Sequence, residues 1–146
     1  METKRLAFPR FYFLSNDDLL QILSQTRNPH AVQPHLRKCF DNINRIKFTE
    51  EEDSREVRAM VSAEPENMPE EVAFNENVII SEGDKVENWL KRIEETMITS
   101  LRCLSLKCYH EYPHGKIECR KDWMFADYPS QSVLLIEMVR WQELMT

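Results

Sequence analysis

The sequence predicts an α+β protein in which helical segments flank a small antiparallel β-sheet, with most residues in helices. Two observations support this prediction: a helical period of apolar residues towards both ends of the chain, and extended, alternating segments between Arg45 and Ile80. At 146 residues, with 42% hydrophobic and 30% charged residues, the chain has the size and composition of a soluble globular protein. Internal repeats and low-complexity tracts are absent, so we expect one unit over residues 1–146.

The opening segment, residues 4–14, is a run of aromatic and aliphatic residues around Pro9. A short apolar run that ends at a helix cap is typical of a buried strand. Pro9 suits the entrance of such a strand because it has no N–H to donate. We therefore expect a buried strand through Phe11, Tyr12 and Phe13, which could lie beside the central sheet.

Two helices are expected next. Ser15 is placed to cap a helix that runs to about Thr26, with Asp18 as its reciprocal partner. Pro29 ends this helix, since the residue before a proline avoids helical geometry. A second helix is expected to begin near Val32. The expected buried residues are Leu19, Leu20, Ile22 and Leu23 in the first helix, and Val32, Leu36, Phe40 and Ile43 in the second.

The middle of the chain is expected to form an antiparallel meander. Residues 45–49 and 57–61 alternate between polar and apolar side chains, and residues 72–80 form a further extended stretch. The acidic residues 50–53 predict a solvated turn, and residues 63–68 predict a second turn. Short polar connections of this kind favour antiparallel neighbours.

A long helix is predicted from Val86 to Cys108, where apolar residues recur at helical spacing. Glu87 is expected on its solvated side together with Lys91, Glu94 and Glu95. The turn residues of Tyr112–Gly115 are expected to end this helix. A short segment is expected around Lys116–Phe125, and a last helix is expected to begin at Tyr128–Gln131. That helix is apolar almost all the way round, so we expect another segment or another protein to cover it.

Composition limits the function. A phosphate-binding loop needs clustered glycines, whereas Gly83 and Gly115 are the only two in the chain, so we expect no autonomous ATPase and no cofactor. The net charge of −6, without a lysine or arginine block, gives no support for a nucleic-acid partner. No apolar run approaches the ~20 residues of a membrane span, and no signal segment opens the chain. We therefore expect a chain that stays in the cytosol or nucleus.

Two groups of residues contain the residue types of a metal site or a catalytic site. The set Cys103, Cys108, His110, His114 and Cys119 contains zinc-ligand residue types, but its spacing departs from close cysteine pairs, which favours free thiols and surface histidines. Cys39 has His35 one helical turn earlier, a pair that could lower a thiol pKa, yet a core-edge cysteine beside a capping or surface histidine fits better. Acidic pairs lie in caps, turns or solvated helix faces. The sequence thus predicts no catalytic, cofactor-binding or metal-binding residue.

Basic and aromatic residues mix in the opening segment, at Arg5, Phe8, Arg10 and Phe11. A surface that stacks nucleic-acid bases would alternate exposed aromatics with basic residues. This run is instead apolar on both faces and belongs to an acidic chain, which favours a core strand.

Several blocks resemble one protein family. Residues 8–17 read Phe-Pro-Arg-Phe-Tyr-Phe-Leu-Ser-Asn-Asp, followed by Asn28-Pro29 and by residues 32–40, Val-Gln-Pro-His-Leu-Arg-Lys-Cys-Phe. Residues 86–90, Val-Glu-Asn-Trp-Leu, and later Asp122-Trp123, Tyr128-Pro129-Ser130-Gln131 and Trp141, continue in the same order. These blocks resemble the linker region of dynein heavy chains, with the axonemal branch the closer match. Gln142 and Ser130 depart from the family pattern.

The resemblance implies part of a mostly helical rod that lies across a ring of ATPase modules and moves with the nucleotide cycle. The implied partners are that ring and the other subunits of the dynein complex, with the microtubule contacted only indirectly, in the ciliary axoneme. No family catalytic residue has a counterpart here, so the resemblance implies a non-enzymatic, mechanical segment or a truncated product. The alternative is a stand-alone adaptor derived from such a heavy chain.

Overall fold

Helices flank a three-stranded antiparallel sheet, which confirms the predicted α+β class. The computed structural model describes residues 2–25, 27–114 and 117–146, with the backbone alone at residues 117 and 118. The chain forms two compact units, Met1–Met97 and Ile98–Thr146; a single domain over residues 1–146 stays a prediction. The α-helices are α1 (Glu2–Ala7), α2 (Asn16–Ser24), α3 (Leu36–Cys39), α4 (Val86–His110), α5 (Ile117–Met124) and α6 (Ser130–Met145), and two 3₁₀ helices span Pro9–Phe13 and Pro29–His35.

The opening aromatic segment is a 3₁₀ helix, Pro9–Phe13, so the predicted strand is wrong. The buried residues of this segment are Phe8, Phe11 and Leu14, which are spaced by three, whereas Tyr12–Phe13 is exposed. A 3₁₀ helix has three residues per turn, so this spacing places the three apolar side chains on one face. The proline at its first position already has the backbone angle that such a turn needs.

Helix α2 begins as predicted. Ser15 caps it, and its hydroxyl oxygen accepts a hydrogen bond of 3.1 Å from the backbone N–H of Asp18. The helix ends at Ser24, and Thr26 lies outside the described residues. The predicted buried side is correct for Leu19 and Ile22. It is wrong for Leu20, which is exposed, and Leu23 is half-buried.

The predicted second helix is a 3₁₀ helix, Pro29–His35, that leads into the short α3. Before it, the side chain of Asn28 accepts a hydrogen bond from the backbone N–H of His30. Val32, Leu36 and Phe40 are buried as predicted, but Ile43 is the first residue of β1 and is only half-buried. The apolar stripe therefore ends one turn earlier than expected.

The predicted meander is confirmed. Strands β1 (Ile43–Phe48), β2 (Glu56–Ser62) and β3 (Glu71–Ile79) pair antiparallel in the order β1-β2-β3. The acidic residues 50–53 form the exposed connection between β1 and β2, where Asp53 adopts a positive φ of 58°. This left-handed geometry is tolerated by aspartate better than by most residues because its short side chain can bond locally.

The side chain of Gln33 binds the edge of the sheet at β1. Its amide nitrogen donates to the carbonyl oxygen of Ile46 at 2.7 Å, and its amide oxygen accepts from the N–H of Ile46 at 3.1 Å. Both backbone polar groups of an edge residue are thereby paired, as they would be by a neighbouring strand.

Helix α4 confirms the longest predicted element, and its residues 86–97 belong to the first unit. Trp89, Leu90 and Ile93 are among the most deeply buried residues of that unit. Glu87, expected in solvent, is buried, because Lys4 forms an ion pair with its carboxylate. Helix α4 ends at His110, before the predicted turn residues; Gly115 among them and the neighbouring Lys116 lie outside the described residues.

Candidate interaction surface

The second unit is built around a small aromatic core. The indole N–H of Trp123 donates to the carbonyl oxygen of Cys108 at 3.0 Å, and the ring of Tyr112 meets the Trp123 ring edge-on at 4.9 Å. The hydroxyl oxygens of Ser105 and Ser132 lie 2.8 Å apart. The Ser105–Ser132 contact joins α4 to the inner side of α6, and the other two hold α5 against the end of α4. The buried residues of this core are Cys108, Trp123, Val133 and Ile136, packed against Tyr109, Tyr112 and Tyr128.

Arg140 fixes the second half of α6. Its guanidinium lies 3.8 Å from the centre of the Tyr109 ring and donates to the carbonyl oxygen of Tyr109 at 3.0 Å. It also donates to the Glu143 carboxylate at 2.8 Å, a bond that lowers the pKa of Glu143. A guanidinium over an aromatic face is attracted by the ring's quadrupole, so one side chain fixes α6 by packing and by charge.

The outer side of α6 is exposed and apolar. Leu134, Met138, Trp141 and Met145 are 57%, 70%, 65% and 69% exposed. Their spacing of four, three and four residues places them along one seam of the helix, the pattern by which an apolar helix receives another helix. An open groove of about 620 Å³ runs along this face. The groove is lined by Leu135, Glu137, Met138, Val139, Trp141 and Gln142. We call this surface the α6 face.

In the first unit, Arg10 connects three elements. Its guanidinium donates to Glu94 of α4 at 3.0 Å and to the carbonyl oxygen of Cys39 at 3.1 Å, and it lies 4.8 Å from the centre of the Phe40 ring. The sequence pattern predicts that Arg10 belongs to a core strand. Instead it is a half-buried cation that ties the first 3₁₀ helix to α3 and α4.

The Cys39 and His35 pair is not an activated thiol. Burial raises the pKa of Cys39 from 9.0 to about 11, which keeps the thiol protonated at neutral pH. His35 is buried, so a surface position is wrong, and it stands at the N-cap of α3 without a capping hydrogen bond from its side chain. Its Nδ1 lies 3.6 Å from a carboxylate oxygen of Asp18. Asp18 also binds Lys38 at 2.7 Å, and that hydrogen bond lowers the pKa of Asp18. The arrangement is a packed helix junction.

The cysteine and histidine residues near the end of α4 do not come together. Cys103 and Cys119 are exposed, Cys108 lies in the aromatic core, and all three thiols are free. The His110 and His114 rings contact Tyr109 and Tyr112 respectively. Within residues 2–25, 27–114 and 117–146, no three His, Cys, Asp or Glu side chains are placed to hold a metal ion. That the chain has no catalytic, cofactor or metal residue stays a prediction.

Comparison with known proteins decides the family. Residues 1–108 match the family described as "Dynein heavy chain, N-terminal region 2". The chain belongs to the dynein heavy chain family. This confirms the resemblance drawn from the aromatic opening and the later blocks, and it assigns the sheet and most of α4 to the N-terminal region of a dynein heavy chain.

The relatives of this dynein heavy chain sequence are axonemal. It is 44% identical over 155 residues to dynein axonemal heavy chain 6 of Homo sapiens, covering 97% of this chain and 4% of that protein. It is 38% identical over 145 residues to dynein axonemal heavy chain 3 of Mus musculus, covering 97% and 3%. It is 49% identical over 113 residues to human dynein axonemal heavy chain 1, covering 77% and 2%. The chain thus spans a few per cent of these relatives, and the likeness indicates a cytoskeletal location in the axoneme.

Three important residues of this dynein sequence were missed. Arg10, Glu87 and Arg140 each join elements that are distant in sequence. A signal existed for Arg10, which is a cation inside an aromatic run, and for Arg140, which lies in an apolar helix. The partners in a long-range ion pair can be named only when the fold is known.

No described helix is long and apolar enough to cross a membrane.

Proposed function

We propose that this chain is a non-enzymatic, mechanical segment of the linker of an axonemal dynein heavy chain. In this role it transmits a conformational change driven by ATP hydrolysis elsewhere in the motor. The single observation behind the proposal is the family match over residues 1–108, extended by the relatives that cover 97% of the chain. The proposed location is the cytoplasmic axoneme, and the proposed process is microtubule-based motility.

The packing of the first unit supports a role in transmitting force. Protein interiors are packed as densely as organic crystals, so a closed core moves as a body under load. Arg10 adds two hydrogen bonds and a ring contact that join the first 3₁₀ helix to α3 and α4. Bending this unit would separate these groups, and the free energy of their contacts opposes the bend.

The proposed partners are the remainder of a dynein heavy chain, with its ATPase ring, and the other subunits of the dynein complex. The α6 face supports this assignment because an exposed apolar seam of this length is unusual on a free-standing protein. The microtubule is contacted only indirectly in this proposal, and neither nucleic acid nor membrane is a partner.

The proposal is tested by substituting Arg10 in a dynein heavy chain that contains this segment. Arg10→Ala is expected to slow microtubule gliding while ATP hydrolysis continues, because force transmission weakens and the ring is unchanged. Arg37→Ala is the matched control, since Arg37 is exposed and lies 3.9 Å from the exposed Glu64. Gliding that is equally fast in both variants would reject the mechanical role.

Calorimetry of this chain with ATP is expected to give no binding heat.

A second candidate function, a stand-alone adaptor, is favoured by the same α6 face. An apolar seam on a helix is one of the common ways in which a protein receives a helical ligand. Sedimentation separates the two candidates. A stable monomer that binds a partner through the α6 face supports the adaptor, whereas a chain that aggregates through this face supports the segment of a larger motor.

A further inference from the structure

Helix α1 is attached to the first unit by polar contacts. None of its residues is buried. Within the described residues its side chains bond mostly to nearby positions: Arg5 to Asn16 at 2.8 Å, and Glu2 to Tyr12 at 3.2 Å. The exception is Lys4, which forms an ion pair with Glu87, 83 residues away in the first turn of α4.

The Glu87 carboxylate is unusually placed for one end of an ion pair. Its side chain is 7% exposed, against 32% for Lys4. One oxygen binds Lys4, and the other, Oε2, is buried without a hydrogen-bond partner among the described residues. A buried carboxylate needs an opposite charge, and removing that charge is costly. Glu87 therefore depends on the position of α1.

The residue that follows α1 is firmly anchored. Phe8 is buried, and its ring lies 5.0 Å from the Phe11 ring and 6.2 Å from the Phe40 ring. A displacement of α1 can therefore pivot at Phe8 and leave the core of the unit intact. The first turn of α4 also favours a negative charge, since its N–H groups point towards it. Glu87 keeps that stabilisation when Lys4 leaves, which offsets part of the cost of opening the ion pair.

We propose that α1 is a strap that closes on the first turn of α4, with the Lys4–Glu87 ion pair as its latch. The strap opens at Phe8 while the sheet and α4 stay folded. This inference goes beyond the mechanical role proposed above and does not depend on it, because it concerns an opening of the chain by itself.

Amide hydrogen exchange of the 146-residue chain tests the latch. Lys4→Met keeps the apolar stem of the side chain and removes its charge. It is expected to speed exchange at the N–H groups of residues 6–8, which bond to carbonyl groups one turn earlier in α1, by about tenfold or more. Exchange in β2 is expected to change by less than about twofold, because only the strap opens. Lys4→Arg keeps the positive charge and is expected to keep the slow amide exchange of the unsubstituted chain. Glu87→Gln is a second variant that removes the other charge and is expected to act as Lys4→Met does.

The matched control is Lys47→Met, which removes one partner of the Lys47–Glu71 pair of 2.9 Å. The carboxylate of this pair, Glu71, is 43% exposed against 7% for Glu87, and neither partner touches α1, so exchange in α1 is expected to stay as in the unsubstituted chain. Unchanged exchange in residues 6–8 of Lys4→Met overturns the proposal. Equal acceleration in α1 and β2 also overturns it, since the pair would then stabilise the whole unit and would not be a latch.

Discussion

The two units of this dynein segment use apolar residues differently. The first unit buries a broad set of large side chains, including Trp89, Phe11 and Ile93. The second has a small core centred on Trp123 and leaves Trp141 largely exposed. The comparison shows that apolar content alone does not decide burial: a strand meander and several helices enclose a core, whereas the second unit has fewer surfaces to cover α6.

The polar contacts differ in the same way. Arg10 in the first unit ties together elements that already share a core, so it adds to a closed structure. Arg140 in the second unit lies over Tyr109 and Tyr112, and its contacts stabilise a unit that has a smaller apolar core. We therefore expect the second unit to depend more on single polar side chains than the first.

The largest expected loss of stability comes from a substitution in the core of the first unit. Trp89→Ala removes a side chain that is 1% exposed and should lower the free energy of unfolding by about 3–5 kcal/mol. Trp141→Ala removes an equally large side chain that is 65% exposed and should change the free energy by less than about 0.5 kcal/mol. Urea unfolding followed by circular dichroism measures both. Similar losses in the two variants would contradict the difference between the units.

A smaller effect is expected from Arg140→Ala, which tests the dependence of the second unit on one side chain. Losing the ring contact and the bonds to Tyr109 and Glu143 should destabilise α6 by about 1–2 kcal/mol. Faster amide exchange in α6, with unchanged exchange in β2, is the expected readout. Lys107→Ala is the control, since Lys107 and its partner Glu111, 4.0 Å away, are both exposed and the change should cost less than about 0.5 kcal/mol.

The smallest effect at neutral pH comes from the buried thiols. Burial raises the pKa of Cys39 from 9.0 to about 11, and it also raises the pKa of Cys108. Between pH 9 and 11 the unfolded chain binds fewer protons at Cys39 than the folded chain. The stability due to this thiol is therefore complete below pH 9 and is lost as the pH rises through about 11.

Alkylation with iodoacetamide at pH 8, followed by mass spectrometry, checks this ordering. Cys103 and Cys119 are exposed and should react first. Cys39 should react more slowly, since burial both raises its pKa and keeps the reagent from its Sγ. If the second unit opens more readily, Cys108 should react before Cys39. Rapid labelling of Cys39 would contradict the packed junction around it.

The sequence was sufficient for the elements that rest on local signals. Ser15 capped α2 as predicted, the three strands followed their alternation, and α4 followed its helical stripe. The exposed apolar surface of α6 also followed from a helix with more apolar residues than one side can bury. In each case the deciding contacts lie within a few residues or on one face.

The failures have a common physical origin in tertiary packing. The apolar run predicts a strand through residues 11–13, although Phe8, Phe11 and Leu14 have the spacing of three that suits a 3₁₀ helix. Glu87 was assigned to solvent by its place on α4. Its burial depends on Lys4, which is distant in sequence, so no local pattern contains that information.

Gln33 has a consequence for how the sheet behaves among other chains. An edge strand with free N–H and C=O groups recruits foreign strands, which is the first step of cross-β aggregation. At Ile46 both groups are already occupied by one side-chain amide. Gln33 thus occupies, at Ile46, one of the places where a foreign strand could pair with β1.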